Sequence, residues 1–222
     1  MNPDIVFEDN DILVCVKPAG IATQTRQVKS ADMESILKNY LAGSRPGQPP
    51  YLGVIHRLDQ PVEGLLVFAK TPFAAKELNR QLMTDGFGKY YRALLEGVPE
   101  KTEDTLTHYL CKDGRTNQSR ICDSSVPGAK YARLSYRILR VIPGSSPRSV
   151  AEIHLDTGRH HQIRVQMASI GCPIVGDTKY GAPAPAATHQ TGHSGIQLFA
   201  CRLAFRHPRT KKTMEFELHR LD

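Results

Sequence analysis

The sequence predicts an α+β fold built on a mixed, mostly antiparallel sheet. Short apolar runs of strand length dominate the 222 residues, and turns rich in Gly, Pro, Asn and Asp separate them. Only three segments show the three-to-four-residue apolar spacing of a helix, and they are scattered among the strands rather than alternating with them. No internal repeat or linker interrupts this pattern, so one domain spanning residues 1–222 is expected.

The elements follow in order. Residues 4–8 and 11–17 read as two strands joined at Asp9-Asn10, a good hairpin turn, and Lys17-Pro-Ala-Gly20 breaks the second. Met33, Ile36, Leu37, Tyr40 and Leu41 repeat at helical spacing over 31–41, and Gly43 is expected to close that helix. The Pro/Gly stretch Ser44–Pro50 has no period. Two apolar runs, Leu52–Ile55 and Leu65–Ala69, then flank a charged turn. Thr71-Pro72 is a helix cap followed by a first-turn proline; it predicts a helix to about Met83 with Ala74, Leu78 and Leu82 on one face, ended by Asp85-Gly-Phe-Gly88. Strands are expected at 89–96, 105–111, 118–122, 132–142 and 149–155. Helical spacing returns over His161–Ile170, where Gly171-Cys-Pro173 stops it. An Ala/Pro/Gly-rich loop occupies 181–195. The strands 196–206 and 212–218 form a final antiparallel pair around the basic turn Arg206–Lys212.

A 40% hydrophobic, 23% charged composition is that of an ordinary globular chain. No apolar run is long enough to span a membrane, and the first residues do not read as a signal peptide. The five cysteines are odd in number and lack C-x-x-C spacing, which fits reduced thiols in a cytoplasmic protein. A net charge of +7 permits a polyanionic partner such as RNA without requiring one.

Three segments carry candidate chemistry. In His56-Arg-Leu-Asp59 one carboxylate sits beside an arginine in a turn between two buried strands. An acid held next to a guanidinium stays ionised and can act as a nucleophile; an ordinary surface ion pair is the plainer alternative. Asp156-Thr-Gly-Arg-His-His-Gln-Ile-Arg-Val165 brings Arg159, His160, His161 and Arg164 to a strand-to-helix junction, where free N–H groups favour phosphate. Arg164 lies inside the helix and calls for an acidic partner; Asp59 is one candidate and an unrelated structural pair is another. Tyr90 and Tyr91 are neighbours on a strand, so one is expected in the core and the other at a cleft or in solvent. Adjacent histidines cannot both ligate one metal from a helix face, and no other ligand cluster exists. Neither a phosphate loop nor a dinucleotide fingerprint is present, so neither a metal nor a nucleotide cofactor is expected.

Together these segments resemble the RluA-type pseudouridine synthases. The resemblance runs in order through Lys17-Pro-Ala-Gly20, His56-Arg-Leu-Asp59, Gly64-Leu-Leu-Val-Phe-Ala-Lys70 and Lys89-x-Tyr91-x-Ala93. It continues through Thr157-Gly-Arg-x-His-Gln-Ile-Arg164, Gly171-x-Pro-Ile-x-Gly-Asp-x-Lys-Tyr-Gly181 and Leu203-x-Phe-x-His-Pro208. It implies isomerisation of uridine in ribosomal or transfer RNA, without any cofactor, on a long mixed sheet split by a central cleft and flanked by helices. Asp59 then matches the catalytic aspartate, and Arg57 the arginine that takes the target nucleotide out of the stack. Tyr91 matches the tyrosine against the base, and Arg164 the arginine paired with the aspartate. Ile163 matches an aliphatic wall of the pocket, with His56, Leu58, Arg159 and Gln162 as further substrate-binding positions. The chemistry suits one carboxylate beside the ribose: covalent attack on the anomeric carbon, removal of the neighbouring ribose proton to give a glycal, and attack on the uracil ring all remain open.

The chain departs from the family at Val62-Glu63, where Thr-Ser is frequent, at His160 and at Gln166. Strand patterning from residue 4 leads to the expectation of a catalytic domain alone, with no N-terminal RNA-binding module and a monomer by default. The basic turns 206–212 and 112–120 are then candidates for phosphate contacts. A non-catalytic RNA-binding module with the same fold is the rival reading, motivated by the charge and by Val62-Glu63.

Overall fold

The computed structural model describes residues 2–25, 30–44, 49–84, 86–181, 195–219 and 221. Its elements are β1 (Asp4–Glu8), β2 (Ile12–Lys17), α1 (Met33–Ser44), β3 (Gly53–Val54), β4 (Glu63–Ala69), α2 (Pro72–Leu82), β5 (Phe87–Glu96), β6 (Glu103–Asp113), β7 (Gln118–Cys122), β8 (Lys130–Ile142), β9 (Arg148–Leu155), α3 (Gln162–Ser169), β10 (Leu198–Arg206) and β11 (Thr213–Glu217). This is the α+β, strand-dominated class the sequence predicts. The chain divides into two compact units, one of residues 1–89 and 200–219, the other chiefly of residues 90–199.

In the first unit the strand order is β1-β2-β4-β10, with β3 beside β4 and β11 beside β10. The β1–β2 hairpin forms where Asp9-Asn10 predicts it, and Asp9 holds the turn by accepting the Asp11 and Ile12 N–H groups, each at 2.8 Å. Ile12–Cys15 are fully buried, as a strand covered on both faces must be. Ile12, Val14, Leu65 and Val67 pack with Ala74 and Leu78 of α2 and with Phe87, Leu203 and Phe205. Thr71 caps α2 by accepting the Ala74 N–H (3.1 Å), and Pro72 follows it, as expected. Two expectations need correction. Gly43 lies inside α1, which runs on to Ser44. The 52–55 run yields only the two-residue β3, which pairs with Phe68 and Ala69. The physical reason lies in β4: β2 takes one edge from Gly64 to Ala69, and β10 shares the other with β3.

In the second unit β5-β9-β8-β6-β7 form an antiparallel array. Helix α3 covers one face, where Val165 packs on Leu110 and Ala132, beside Ile121 and Tyr180. Gln166 adds polar contacts there, donating to the Leu106 carbonyl (3.1 Å) and meeting His108 Nδ1 (2.9 Å). All five cysteines are free thiols, but Cys111 and Cys122 lie on neighbouring strands with their sulfurs 2.9 Å apart, a proximity their sequence spacing does not reveal. Most of the predicted loops at 44–50 and 181–195, and Asp85, lie outside the described residues. Among the described residues no helix is long and apolar enough to cross a membrane.

Candidate active site

The turn that carries Asp59 is strapped from below by the segment that follows β2. Lys17 is fully buried, and its Nζ donates to the carbonyls of Pro18 (2.8 Å), Ile21 (2.7 Å) and Gln60 (3.0 Å). The Gly20 N–H donates to Gln60 O (2.9 Å), and the Gln60 side chain returns the bond to Gly20 O (2.9 Å). Thr23 Oγ donates to Leu58 O and accepts the Leu58 N–H, both at 3.1 Å. The Val62 N–H closes the turn on Asp59 O (3.0 Å). Leu58 and Val62 point inward and are buried, Asp59 is half-buried, and Arg57 is exposed. The backbone under the carboxylate is therefore fixed on both sides. Burial pushes the Lys17 ammonium down to about 8, and the negative charges of Asp59 and Glu63 act against that shift. Lys17 is thus a cation whose field Asp59 feels within the same unit.

His56 supports the turn from the side. Its Nε2 accepts the Val67 N–H (3.3 Å), and its ring meets Phe87 edge-on with centroids 5.5 Å apart. Burial, with Lys89 as a lesser cause, pushes its imidazole down to about 3, so the ring is neutral. With Nε2 accepting, Nδ1 carries the proton; it is buried without a hydrogen-bond partner among the described residues. Glycine is required at position 64: its φ is +138°, and a Cβ there would stand 2.3 Å from the carbonyl oxygen of Ala200 on β10.

In the second unit the two tyrosines divide as the alternation predicts. Tyr91 is buried and pairs in register with Ile153, while Tyr90 faces the other side and stacks on His154 at 4.5 Å. Arg164 is buried in α3, and Asp177 grips it in two parallel bonds, Nε to Oδ2 (2.8 Å) and Nη2 to Oδ1 (2.7 Å). Its Cζ also lies 5.2 Å from the centroid of the Tyr180 ring. The Tyr180 hydroxyl accepts the Ser119 N–H (2.6 Å) and donates to His161 Nδ1 (2.8 Å). That direction fits an imidazole pushed down to about 3, first by burial and then by Arg164. Ser119 also meets His160, at Nδ1 (2.9 Å) and at its carbonyl (2.7 Å).

Around the junction, Ile163 is buried. Gln162 accepts from Thr157 Oγ (2.7 Å) and the Arg159 N–H (3.0 Å), and donates to Arg133 O (3.0 Å). Arg159 is exposed and donates Nε to Tyr131 O (2.7 Å). The basic turn 206–212 is partly consumed in ion pairs: Arg209 clasps Asp11 at 2.6 and 2.7 Å, and Lys211 meets Glu77 at 3.1 Å. Asp177, Tyr180, Ser119 and Thr23 are site-supporting residues the sequence reading did not single out. Asp177 and Tyr180 sit in the quoted Gly176-Asp-x-Lys-Tyr-Gly181 run, which was the available signal. Among the described residues no group of three or more His, Cys, Asp or Glu side chains could hold a metal ion.

The fold is that of pseudouridine synthases. It superposes on human RNA pseudouridylate synthase domain containing 4 with a TM-score of 0.77 at 20% identity, over 97% of this chain and 88% of that one. For domain containing 1 the TM-score is 0.74 at 24% identity, over 99% and 84%. Residues 11–169 match the family model described as RNA pseudouridylate synthase, and the chain belongs to that family. It is 34% identical over 218 residues to the ribosomal large subunit pseudouridine synthase D of Nitrosomonas europaea, covering 96% of this chain and 60% of the relative. It is also 34% identical over 193 residues to the uncharacterized RNA pseudouridine synthase YhcT of Bacillus subtilis, covering 86% and 62%. The chain therefore spans about three-fifths of the length of these curated relatives.

Proposed function

We propose that this chain is an RNA pseudouridine synthase that isomerises uridine in ribosomal or transfer RNA, with Asp59 as the catalytic carboxylate. The observation that carries the reading is the strapped turn: Lys17 and Thr23 fix the backbone on either side of a half-buried Asp59. A carboxylate held this way needs no reorganisation when a ribose arrives. In the reaction the bond between the ribose anomeric carbon and uracil N1 breaks, the base turns, and a bond to C5 forms. N1 gains a proton and C5 loses one, so the isomerisation is balanced without a cofactor. Asp59 acts on the ribose, either at the anomeric carbon or at the neighbouring C–H. Arg57 is exposed, as a residue that fills the place of an extruded base must be. The reading requires Tyr91, Ile163 and Arg164 to serve the same nucleotide, the first two as walls for the detached uracil. The two parallel bonds from Asp177 give Arg164 the fixed geometry such a role demands. His56, Leu58 and Gln162 act as positioning residues through the backbone they hold.

Pseudouridine mapping of total ribosomal and transfer RNA incubated with the chain tests this. Wild-type protein is expected to place pseudouridine at discrete positions, and Asp59→Asn to lose at least about a thousandfold in rate while still binding RNA. Equal modification by both proteins removes Asp59 from the mechanism. RNA binding without modification by the wild type favours the non-catalytic reading.

A further inference from the structure

We infer that the sheet face of the second unit turned away from α3 carries a stacking platform for unpaired RNA, built from Tyr109, Tyr131 and Arg159. This rests on the pseudouridine synthase reading. Tyr109 on β6 and Tyr131 on β8 are direct cross-strand partners, so their side chains share a face. The neighbouring residues Leu110 and Ala132 point to the opposite face, into the contact with Val165 of α3. Their rings meet edge-to-face with centroids 5.8 Å apart, yet 38% of Tyr109 and 42% of Tyr131 remain exposed. Two adjacent, rigid, solvent-facing rings offer the sequence-tolerant surface on which unpaired bases stack.

The charges beside them have the sign RNA needs. β9 ends at Leu155; beyond it the Asp156 and Thr157 N–H groups still donate to Arg133 O of β8 (3.2 and 3.3 Å), and Arg159 Nε then donates to the Tyr131 carbonyl at 2.7 Å. That bond uses one of five guanidinium N–H donors and holds an exposed cation on the backbone of Tyr131. The next pair on the same face is Thr107 and Arg133; Arg133 is also exposed but meets Asp156 at 3.4 Å, which leaves Arg159 as the cation the platform uses. Further along, the face changes character. A cavity of about 450 Å³ there carries mixed charge: Glu103, Asp104 and Glu152 line it together with Arg137, which pairs with Glu152 at 3.3 Å.

The test uses the full chain and a 12-nucleotide oligouridylate carrying one 2-aminopurine as the probe. Wild-type protein is expected to quench the 2-aminopurine on binding. Tyr109→Leu with Tyr131→Leu keeps an apolar strand face but removes the rings; quenching should disappear and affinity should fall roughly tenfold to hundredfold. Tyr131→Phe should retain both signals. Arg159→Gln should weaken binding and flatten its log–log salt dependence by about 0.7 unit. On a modified RNA substrate the double variant should raise KM with kcat held within about twofold. Unfolding midpoints measured alongside separate loss of the platform from loss of the fold, and Tyr131→Phe gives a readout that no folding defect confuses. Unchanged quenching and affinity in the double variant overturn the proposal. An equal loss of polyglutamate binding does so too, since it would mark a general anion-attracting patch. If the double variant loses binding but the wild-type chain makes no pseudouridine, the catalytic reading fails and the platform stands.

Discussion

His56 shows how one residue can serve a site without touching the chemistry. Its neighbours in sequence, Arg57 and Asp59, suggest a polar ligand-binding turn, yet the ring is turned inward against Phe87 and accepts the Val67 N–H. A histidine held neutral by burial makes the fold acid-sensitive. Its ordinary value near 6.5 applies to the unfolded chain, and about 3 applies to the folded one. The unfolded state therefore binds more protons between those values, and stability is lost as pH falls from 6.5 toward 3. At pH 5 the penalty is about 2 kcal/mol relative to neutral pH, and His56→Gln should remove it. Urea unfolding of both proteins at pH 7 and pH 5 checks this: the expected result is a smaller pH difference in the variant. Arg164 makes the complementary case. Asp177→Asn takes the charge from the two parallel bonds to a buried guanidinium, and the expected loss is about 3–5 kcal/mol in urea unfolding. Arg164→Lys should fall well short of wild-type stability, because an ammonium cannot reproduce the two parallel bonds.

At the scale of elements, the two glycines of the first unit separate what local sequence can say from what only packing decides. Gly43 reads as a helix stop, but it sits within α1 with open space around the position of a Cβ. Gly43→Ala should raise stability by about 0.5–1 kcal/mol, since alanine is the better helix former and restricts the unfolded chain. Gly64 lies in a run that reads as an ordinary strand, yet its positive φ and the backbone of Ala200 leave no room for a side chain. Gly64→Ala should cost upward of about 3 kcal/mol, visible as loss of soluble protein or a collapsed thermal midpoint. The remaining elements were legible for local reasons. Thr71-Pro72 fixes the start of α2 through its own hydroxyl and ring, and Asp9 makes the β1–β2 turn with its own carboxylate. Strand β3 was not legible to its true length, because it shares an edge of β4 with a strand more than a hundred residues later.

For the whole molecule, the same division holds between what a run of residues declares and what the fold assembles. Asp59, Tyr91 and Arg164 stand out because each lies in a compact motif. Their supports do not: Lys17 reaches Gln60 across 43 positions, and Ser119 reaches Tyr180 across 61. Contacts of that span follow from the sheets rather than from any local pattern. Net charge is the one global property readable without the fold, and its use depends on where the fold leaves cations unneutralised. Of the +7, the basic turn near the end of the chain contributes less than its composition suggests, because Arg209 and Lys211 are committed to Asp11 and Glu77. Arg57 and Arg159 remain exposed, whereas Arg133, also exposed, meets Asp156 at 3.4 Å. If Arg57, Arg159 and two further cations meet phosphate, the affinity of the Asp59→Asn chain for single-stranded RNA should fall with a log–log salt slope of about −3. Between 50 and 200 mM KCl that is roughly a fiftyfold loss, measurable by filter binding. Because committed cations release few counterions, Arg209→Gln should leave this slope unchanged, whereas Arg57→Gln and Arg159→Gln should each flatten it by somewhat less than one unit. A flattening by Arg209→Gln as large as that of Arg159→Gln would show the turn, and not the exposed arginines, carrying the RNA.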